Sequence, residues 1–352
     1  MVRLALALVT CLVLVLQINS STAQSSNVKI RVATFGGIFG ATEKIYIGDR
    51  LQRLAGIQVE WIYGNPTDNL AKLIASRGRD VPFDVIYFDD PTQQRAVHAG
   101  LLEKLDPKEV PNLSHLYKQA IHPQGYGPHV LYYSIGIIYN KDKFKAAGIP
   151  EPKSWNDLWD PRLADHVALP DISTPMGAGF AIKIAQLNGG DDGNVIPGLA
   201  KIAQIKPHSL YTSSSILQTQ LSSGDVWAAV WQSGRAWPMI DGGSPLGYVI
   251  PKEGSVVGTD TIDMVKGTKH PREAQMFINM ALDPLTQLSH AYELAYGPVI
   301  KSLDAVWKNY PDVAKRFPAN QADLDNLIVP NWAAYNEKLK ETVSFWERNF
   351  KK

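Results

Sequence analysis

Residues 28–40, Val-Lys-Ile-Arg-Val-Ala-Thr-Phe-Gly-Gly-Ile-Phe-Gly, and residues 83–91, Phe-Asp-Val-Ile-Tyr-Phe-Asp-Asp-Pro, decide the reading of the fold. In the first stretch Val28, Ile30 and Val32 alternate with Lys29 and Arg31, the period of a strand with one buried face. It runs into a glycine-rich turn at 36–40, where glycine lets backbone N–H groups come close to a ligand. Helical periodicity follows over 41–54 and stops at Gly56. In the second stretch, residues 83–87 form a largely apolar strand. Two acids follow, and a helix starting at Asp90 or Pro91 runs to Gly100. A strand at 57–63 and a short helix from Asn69 lie between the two stretches. Such alternation implies parallel strands with helices on both faces of the sheet. Ligands of these sheets bind beyond the carboxyl ends of the strands, which singles out the loops at 35–40, 64–68 and 88–91.

The middle of the chain begins a second series. Residues 131–140 (LYYSIGIIYN) read as one long strand or a strand pair, and 141–148 as a helix stopped by glycine. Ser154, with Asp157 three residues later, is a helix N-cap. Strands are predicted at 167–170, 226–231, 248–251 and 261–265, with helices at 176–187 and 271–282. No repeat, low-complexity stretch or Gly/Ser-rich linker separates the two series. The two lobes must therefore be joined by strands that cross between them, near 133–135, 259–263 and after Val299.

The bulk numbers exclude other classes. The 352 residues suffice for two domains with cores of their own. Charge is balanced, 35 Lys+Arg against 34 Asp+Glu, with no basic block, so nucleic acid is not an expected partner. Arg3, the apolar run 4–16 and the small residues Ser21-Thr22-Ala23 read as a cleaved signal peptide over 1–23, with the mature chain starting near Gln24. The run is shorter than the ~20 residues that span a bilayer. The single cysteine, Cys11, lies inside the leader; Thr10 before it disfavours lipidation, and the mature chain has no disulfide. HExxH, GxSxG and P-loop patterns are absent and the eight histidines are scattered, so neither an enzyme nor a metal or other cofactor is expected.

An ordered series then carries a resemblance: DVIY at 84–87, IGIIYN at 135–140, SWNDLWDP at 154–161, GDVWAAVWQSGRA at 224–236, PKEG at 251–254 and AYGPV at 295–299. In order and spacing it resembles the periplasmic solute-binding proteins of ABC importers, in the spermidine/putrescine-type group. The resemblance spans the whole mature chain. It implies a two-lobed α/β fold of the type II kind, each lobe a mixed sheet flanked by helices with the ligand cleft between them. It also implies hinge closure on a small molecule and delivery to a membrane permease from the periplasm. The lobes are expected at 28–132 plus 261–300 and at 135–258 plus 301–352, in a monomeric protein.

The same resemblance places Trp231 as a ring stacked on the ligand, and a Trp face attracts an ammonium. Asp260 falls on the acid that holds a ligand amine; the family's aromatic just before it is Gly258 here. Asp171 falls on a second acidic position, but Ile172-Ser173-Thr174 replaces the further acid a long polyamine needs. Arg235 offers a guanidinium fork that matches a carboxylate and with Asp260 would suit a zwitterion such as an ω-amino acid. The expected ligand is an amine-bearing solute, with a polyamine and an ω-amino acid both open; an exported enzyme is the more distant alternative. Phe35, Phe39, Asp89, Asp90, Tyr211 and Tyr296 complete the expected ligand-binding set, with one of the adjacent acids Asp89 and Asp90 capping the next helix. The Ser-rich run 212–215 reads as a helix N-terminus. A ferric-ion or anion carrier is the alternative; Tyr132 and Tyr133 are adjacent, but strand neighbours face opposite ways.

Overall fold

The computed structural model describes residues 28–76, 80–325 and 329–351, so the expected leader and Cys11 lie outside the described residues. Ten strands form among them: β1 Lys29–Thr34, β2 Gln58–Tyr63, β3 Val85–Asp89, β4 Leu102–Glu103, β5 His129–Asn140, β6 Val167–Pro170, β7 Ser209–Tyr211, β8 Ala228–Gln232, β9 Leu246–Val249 and β10 Val257–Val265. They run in the order β2-β1-β3-β10-β5-β8-β6-β7, with β4 on β10 and β9 on β5. The outer pairs, β1 with β2 and β3, and β6 with β7 and β8, are parallel; β10 and β5 are antiparallel to their neighbours.

The fold is the two-lobed mixed α/β architecture expected, and β5 shows how the lobes join. Its first half, from His129 to Ser134, pairs with β10, and from Ile135 onward it pairs with β8. The hand-over falls between Ser134 and Ile135, where a crossing was expected. Because β5 and β10 also pair with each other, the two halves form one hydrogen-bonded ladder rather than two separate sheets. Strand alternation divides the core. Val85 and Tyr87 pack into the large cluster, while Ile86 and Phe88 pack into a second one on the opposite face of the sheet.

Two local readings shift. The helix expected over 41–54 starts at Gly37, as Gly37–Glu43, a π-helical turn Lys44–Gly48, and Asp49–Ala55 ended by Gly56 at φ 69°. Gly40 is needed for packing rather than for a turn: the Tyr63 ring lies over it, and a Cβ there would come within 2.5 Å of that ring. The helix expected from Asn69 begins at Pro66, because the Asn65 side chain caps the Asp68 N–H and proline presets the first helical φ.

After residue 300 the chain touches both sides. Tyr117 donates to Asp304, and Gln119 donates to Asp325 at 2.8 Å. Arg316 then pairs with Asp241, and Trp346 Nε1 donates to Asp171 at 3.2 Å.

A fully buried pair locks the first helix in place. His290 Nε2 meets Glu43 Oε1 at 2.6 Å, Tyr87 donates to the same carboxylate, and the His290 and Glu43 side chains are 0 % exposed. The Phe39 ring stacks on His290, and the Tyr296 N–H donates to the His290 carbonyl. Removing one member of a buried pair strands the other, so Glu43→Ala is expected to cost about 3–5 kcal/mol. Adding His290→Ala to Glu43→Ala is expected to cost less than the sum of the two single changes. Urea unfolding reads both effects, and strictly additive losses would contradict the lock.

Candidate functional site

A cleft of about 650 Å³ opens where the parallel strands of both lobes end. The first lobe contributes Phe35, Phe39, Asn65, Thr67 and Asp89. The second contributes Ser173, Thr174, Met176, Tyr211 to Ser215, Gln232 and Arg235. Tyr133 on β5, Asp260 on β10 and Tyr296 complete the lining from the crossing region.

Its main negative group is Asp260. In the β10–β3 ladder Asp260 is the Cα partner of Asp89, so two carboxyls come from adjacent strands. Burial pushes the Asp260 carboxyl well above its ordinary value, and the negative neighbours Asp89 and Asp90 push the same way, against the opposing pull of Arg235. Burial likewise raises Asp89, whose bonds to Thr92 oppose the shift. A cation brought to Asp260 would neutralise a carboxylate that burial and its negative neighbours disfavour.

The lining also carries a positive group close enough to act on Asp260. Arg235 lies in the first turn of the helix Ser233–Asp241, and its Nε is buried without a hydrogen-bond partner. Among the described residues six helices begin at the cleft, with their N-caps Gly36, Asn65, Asp89, Thr174, Ser213 and Gln232 all in the lining. Unsatisfied N–H groups and the helix dipole make such ends favourable to an anion.

Two tyrosines share this lining, and each lies across a glycine. A Cβ on Gly258 would come within 1.9 Å of the Tyr133 ring, and one on Gly234 within 2.0 Å of the Tyr296 ring. The two ring centroids are 6.1 Å apart. Burial raises both hydroxyls, that of Tyr296 to about 12, so both remain neutral. The aromatic missing from position 258 is thus replaced by one on the neighbouring strand.

The structure brings Phe35, Phe39, Asp89, Tyr211, Arg235, Asp260 and Tyr296 together in the lining. Three expected residues are elsewhere. Trp231 is fully buried in a cluster with Ile138, Ala168 and Leu217, with its Nε1 3.4 Å from Ser214 Oγ. Parity is the reason: consecutive residues of β8 face opposite ways, and the next residue, Gln232, faces the cleft instead. Asp171 is outside the lining because its carboxylate accepts from Ser173, lies 3.2 Å from Trp346 Nε1 and pairs with Lys351. Asp90 pairs with His129 at 2.9 Å, and Asp89 is the cap, accepting from the Thr92 N–H. Within the lining, Tyr211 offers its ring, since its hydroxyl is committed to the Val230 carbonyl. Sequence reasoning missed Tyr133. The available signal was its cross-strand partner, Gly258, which lies two residues before an acid expected in the site.

With this geometry the chain belongs to the bacterial extracellular solute-binding protein family, matched over residues 47–315. It is 26 % identical over 342 residues to the gamma-aminobutyric acid-binding protein of Pseudomonas aeruginosa, covering 93 % of each chain. To the spermidine/putrescine-binding periplasmic protein 1 of Haemophilus influenzae it is 23 % identical, covering 94 % of this chain and 92 % of that one. Among solved structures, an ABC transporter protein from Clostridium perfringens superposes with a TM-score of 0.73 at 28 % identity, over 91 % of this chain and 99 % of that one. Among the described residues no helix is long and apolar enough to cross a membrane.

The fit of Tyr133 over Gly258 is testable without any ligand. Gly258→Ala is expected to destabilise by about 1–3 kcal/mol through overpacking. In a Tyr133→Ala background the same change should cost little. Equal losses in both backgrounds, measured by urea unfolding, would contradict the fit.

Proposed function

We propose that this chain is the periplasmic binding component of an ABC importer and that its cleft takes a short ω-amino acid. The ligand ammonium lies at Asp260, its carboxylate at Arg235, and its methylene chain across Tyr133 and Tyr296. One observation carries the reading: a disfavoured carboxyl and an unpartnered guanidinium nitrogen share the same cleft. The relative named for gamma-aminobutyric acid, matched along nearly the full length of both chains, supports this choice. Relatives named for putrescine and spermidine keep amines in view, yet a diamine needs anions at both ends. Here Asp171 is turned away and Arg235 brings a cation to the same cleft.

The protein acts in this reading as a monomeric carrier. It closes on the solute and presents the closed form to a membrane permease, and no reaction is assigned to it. Residues 28–132 with 261–300, and 135–258 with 301–352, are the bodies that move. The contacts of Asp304 and Asp325 with Tyr117 and Gln119 make the start of the last segment a bridge between them. Closure follows from the ligand's greater affinity for the closed state.

Calorimetric titration with 4-aminobutanoate and with putrescine tests the assignment. Asp260→Asn is expected to weaken 4-aminobutanoate by about 2–5 kcal/mol, since a buried ammonium loses its charge partner. The same change should raise the melting temperature of the ligand-free protein, because a disfavoured carboxylate is gone. Arg235→Gln should weaken 4-aminobutanoate comparably. If that variant instead binds putrescine as well as or better than the parent protein does, and binds it ahead of 4-aminobutanoate, the ligand is a polyamine.

The pH dependence has a fixed sign. Asp260 binds an ammonium only as carboxylate, and its value in the empty cleft is raised. Affinity should therefore rise with pH through that raised value, with a proton released on binding. Titrations in buffers of different ionisation enthalpy read the proton, and proton uptake would contradict the assignment.

A further inference from the structure

A second cavity of about 200 Å³ adjoins the cleft and has no part in the reading above. One wall is the start of the helix Asp90–His98, with Pro91 and Thr92. The opposite wall is Ile172 and Ala178. The roof is the C-terminal helix pair Trp332–Glu337 and Leu339–Phe350, which presents Trp332, Tyr335, Leu339 and Val343. Three separate parts of the chain thus enclose one small, mainly apolar space.

Two observations say what it takes. The cavity shares Thr67, Asp89 and the segment from Ser173 to Pro175 with the cleft, so the two spaces adjoin at Asp89. Asp89 is the ladder partner of Asp260, which puts this junction beside the ammonium's proposed partner. The second observation is Tyr335. It is 3 % exposed, and its hydroxyl is buried with no hydrogen-bond partner. Buried hydroxyls nearly always have one, and an orphan beside an apolar cavity marks a place for an acceptor brought by a ligand. The size suits a ring, since an apolar cavity of roughly 150 Å³ holds benzene.

We propose that this side pocket is a subsite for a ring-sized substituent on the nitrogen of the ω-amino acid, and that Tyr335 donates to an acceptor on that substituent. The inference rests on the cleft reading above. N-Alkylation keeps the nitrogen cationic and leaves it N–H groups for Asp260, so both parts of the ligand are accommodated together. Specificity of the site then extends beyond simple amino acids to secondary amines with an aryl arm.

Calorimetry with three compounds tests it: 4-aminobutanoate, 4-(benzylamino)butanoate and the corresponding pyridylmethyl compound, whose ring nitrogen can accept from Tyr335. The wild-type protein is expected to bind the benzyl compound at least as tightly as the parent amino acid, and the pyridylmethyl compound severalfold more tightly still. Val343→Phe and, independently, Leu339→Phe fill the pocket. Each should weaken both aryl compounds at least tenfold while leaving 4-aminobutanoate within twofold, and retained binding of that parent shows that the variant is folded. Tyr335→Phe should abolish the advantage of the pyridylmethyl compound and leave the benzyl compound unchanged. If the protein binds 4-aminobutanoate but not the benzyl compound, or binds it with an affinity that neither filling variant alters, the side pocket is not a subsite. If wild-type protein binds none of the three, the cleft reading fails and this inference goes with it.

Discussion

The antiparallel pairing of β5 with β10 is the constraint from which the site follows. Each of these strands carries the ladder from one parallel half toward the other, so their register fixes how the lobes meet. It sets Gly258 opposite Tyr133 and leaves Asp260 beside Asp89. A residue larger than glycine at 258 would have to displace the ring and with it the wall of the cleft. Packing at the crossing and chemistry in the cleft are therefore one problem. The buried Glu43–His290 pair plays the matching role from below, tying the helix that carries Phe39 to the segment that leads to Tyr296.

The electrostatics of the cleft oppose the empty state. Asp260 is raised by burial and by two like-charged neighbours, and the Arg235 Nε is buried unpaired. Such features cost stability and persist where they serve function. A zwitterion answers both at once, and its binding energy is then available for closure. Turning a mostly open population into a mostly closed one takes a differential affinity of about 5.5 kcal/mol, which relief of a disfavoured carboxylate and an unpaired guanidinium Nε helps to supply.

Much of the fold was legible in the sequence because it rests on period and punctuation. The alternation in 28–32 and the glycine stops at Gly56, Gly100 and Gly148 are local signals. All three glycines adopt the positive φ that makes glycine the natural stop. The capping box at Ser154 and Asp157 is present as read. What failed was local pattern standing in for tertiary context. Gly37 to Gly40 looked like a turn because the ring of Tyr63, which explains Gly40, is far away in sequence. Trp231 was one residue out of phase with the cleft, and nothing local fixes which face of a strand turns inward. Asp171 and Asp90 were assigned to ligand, but their partners Trp346, Lys351 and His129 come from other parts of the chain. Asp260, inside β10, was placed by the family resemblance, whereas Arg235 follows β8, where the fold class itself points to the ligand.

One cleft holds an acid and a guanidinium, and a zwitterion between them is the proposed ligand. The crystal structure of the protein grown with 4-aminobutanoate tests it most directly. The account predicts density for one molecule in the cleft, its nitrogen within hydrogen-bond distance of Asp260, its carboxylate on Arg235 and its chain against the rings of Tyr133 and Tyr296. A ligand bound the other way round, or outside the cleft, or a cleft that stays empty while putrescine fills it in a parallel crystal, would contradict it.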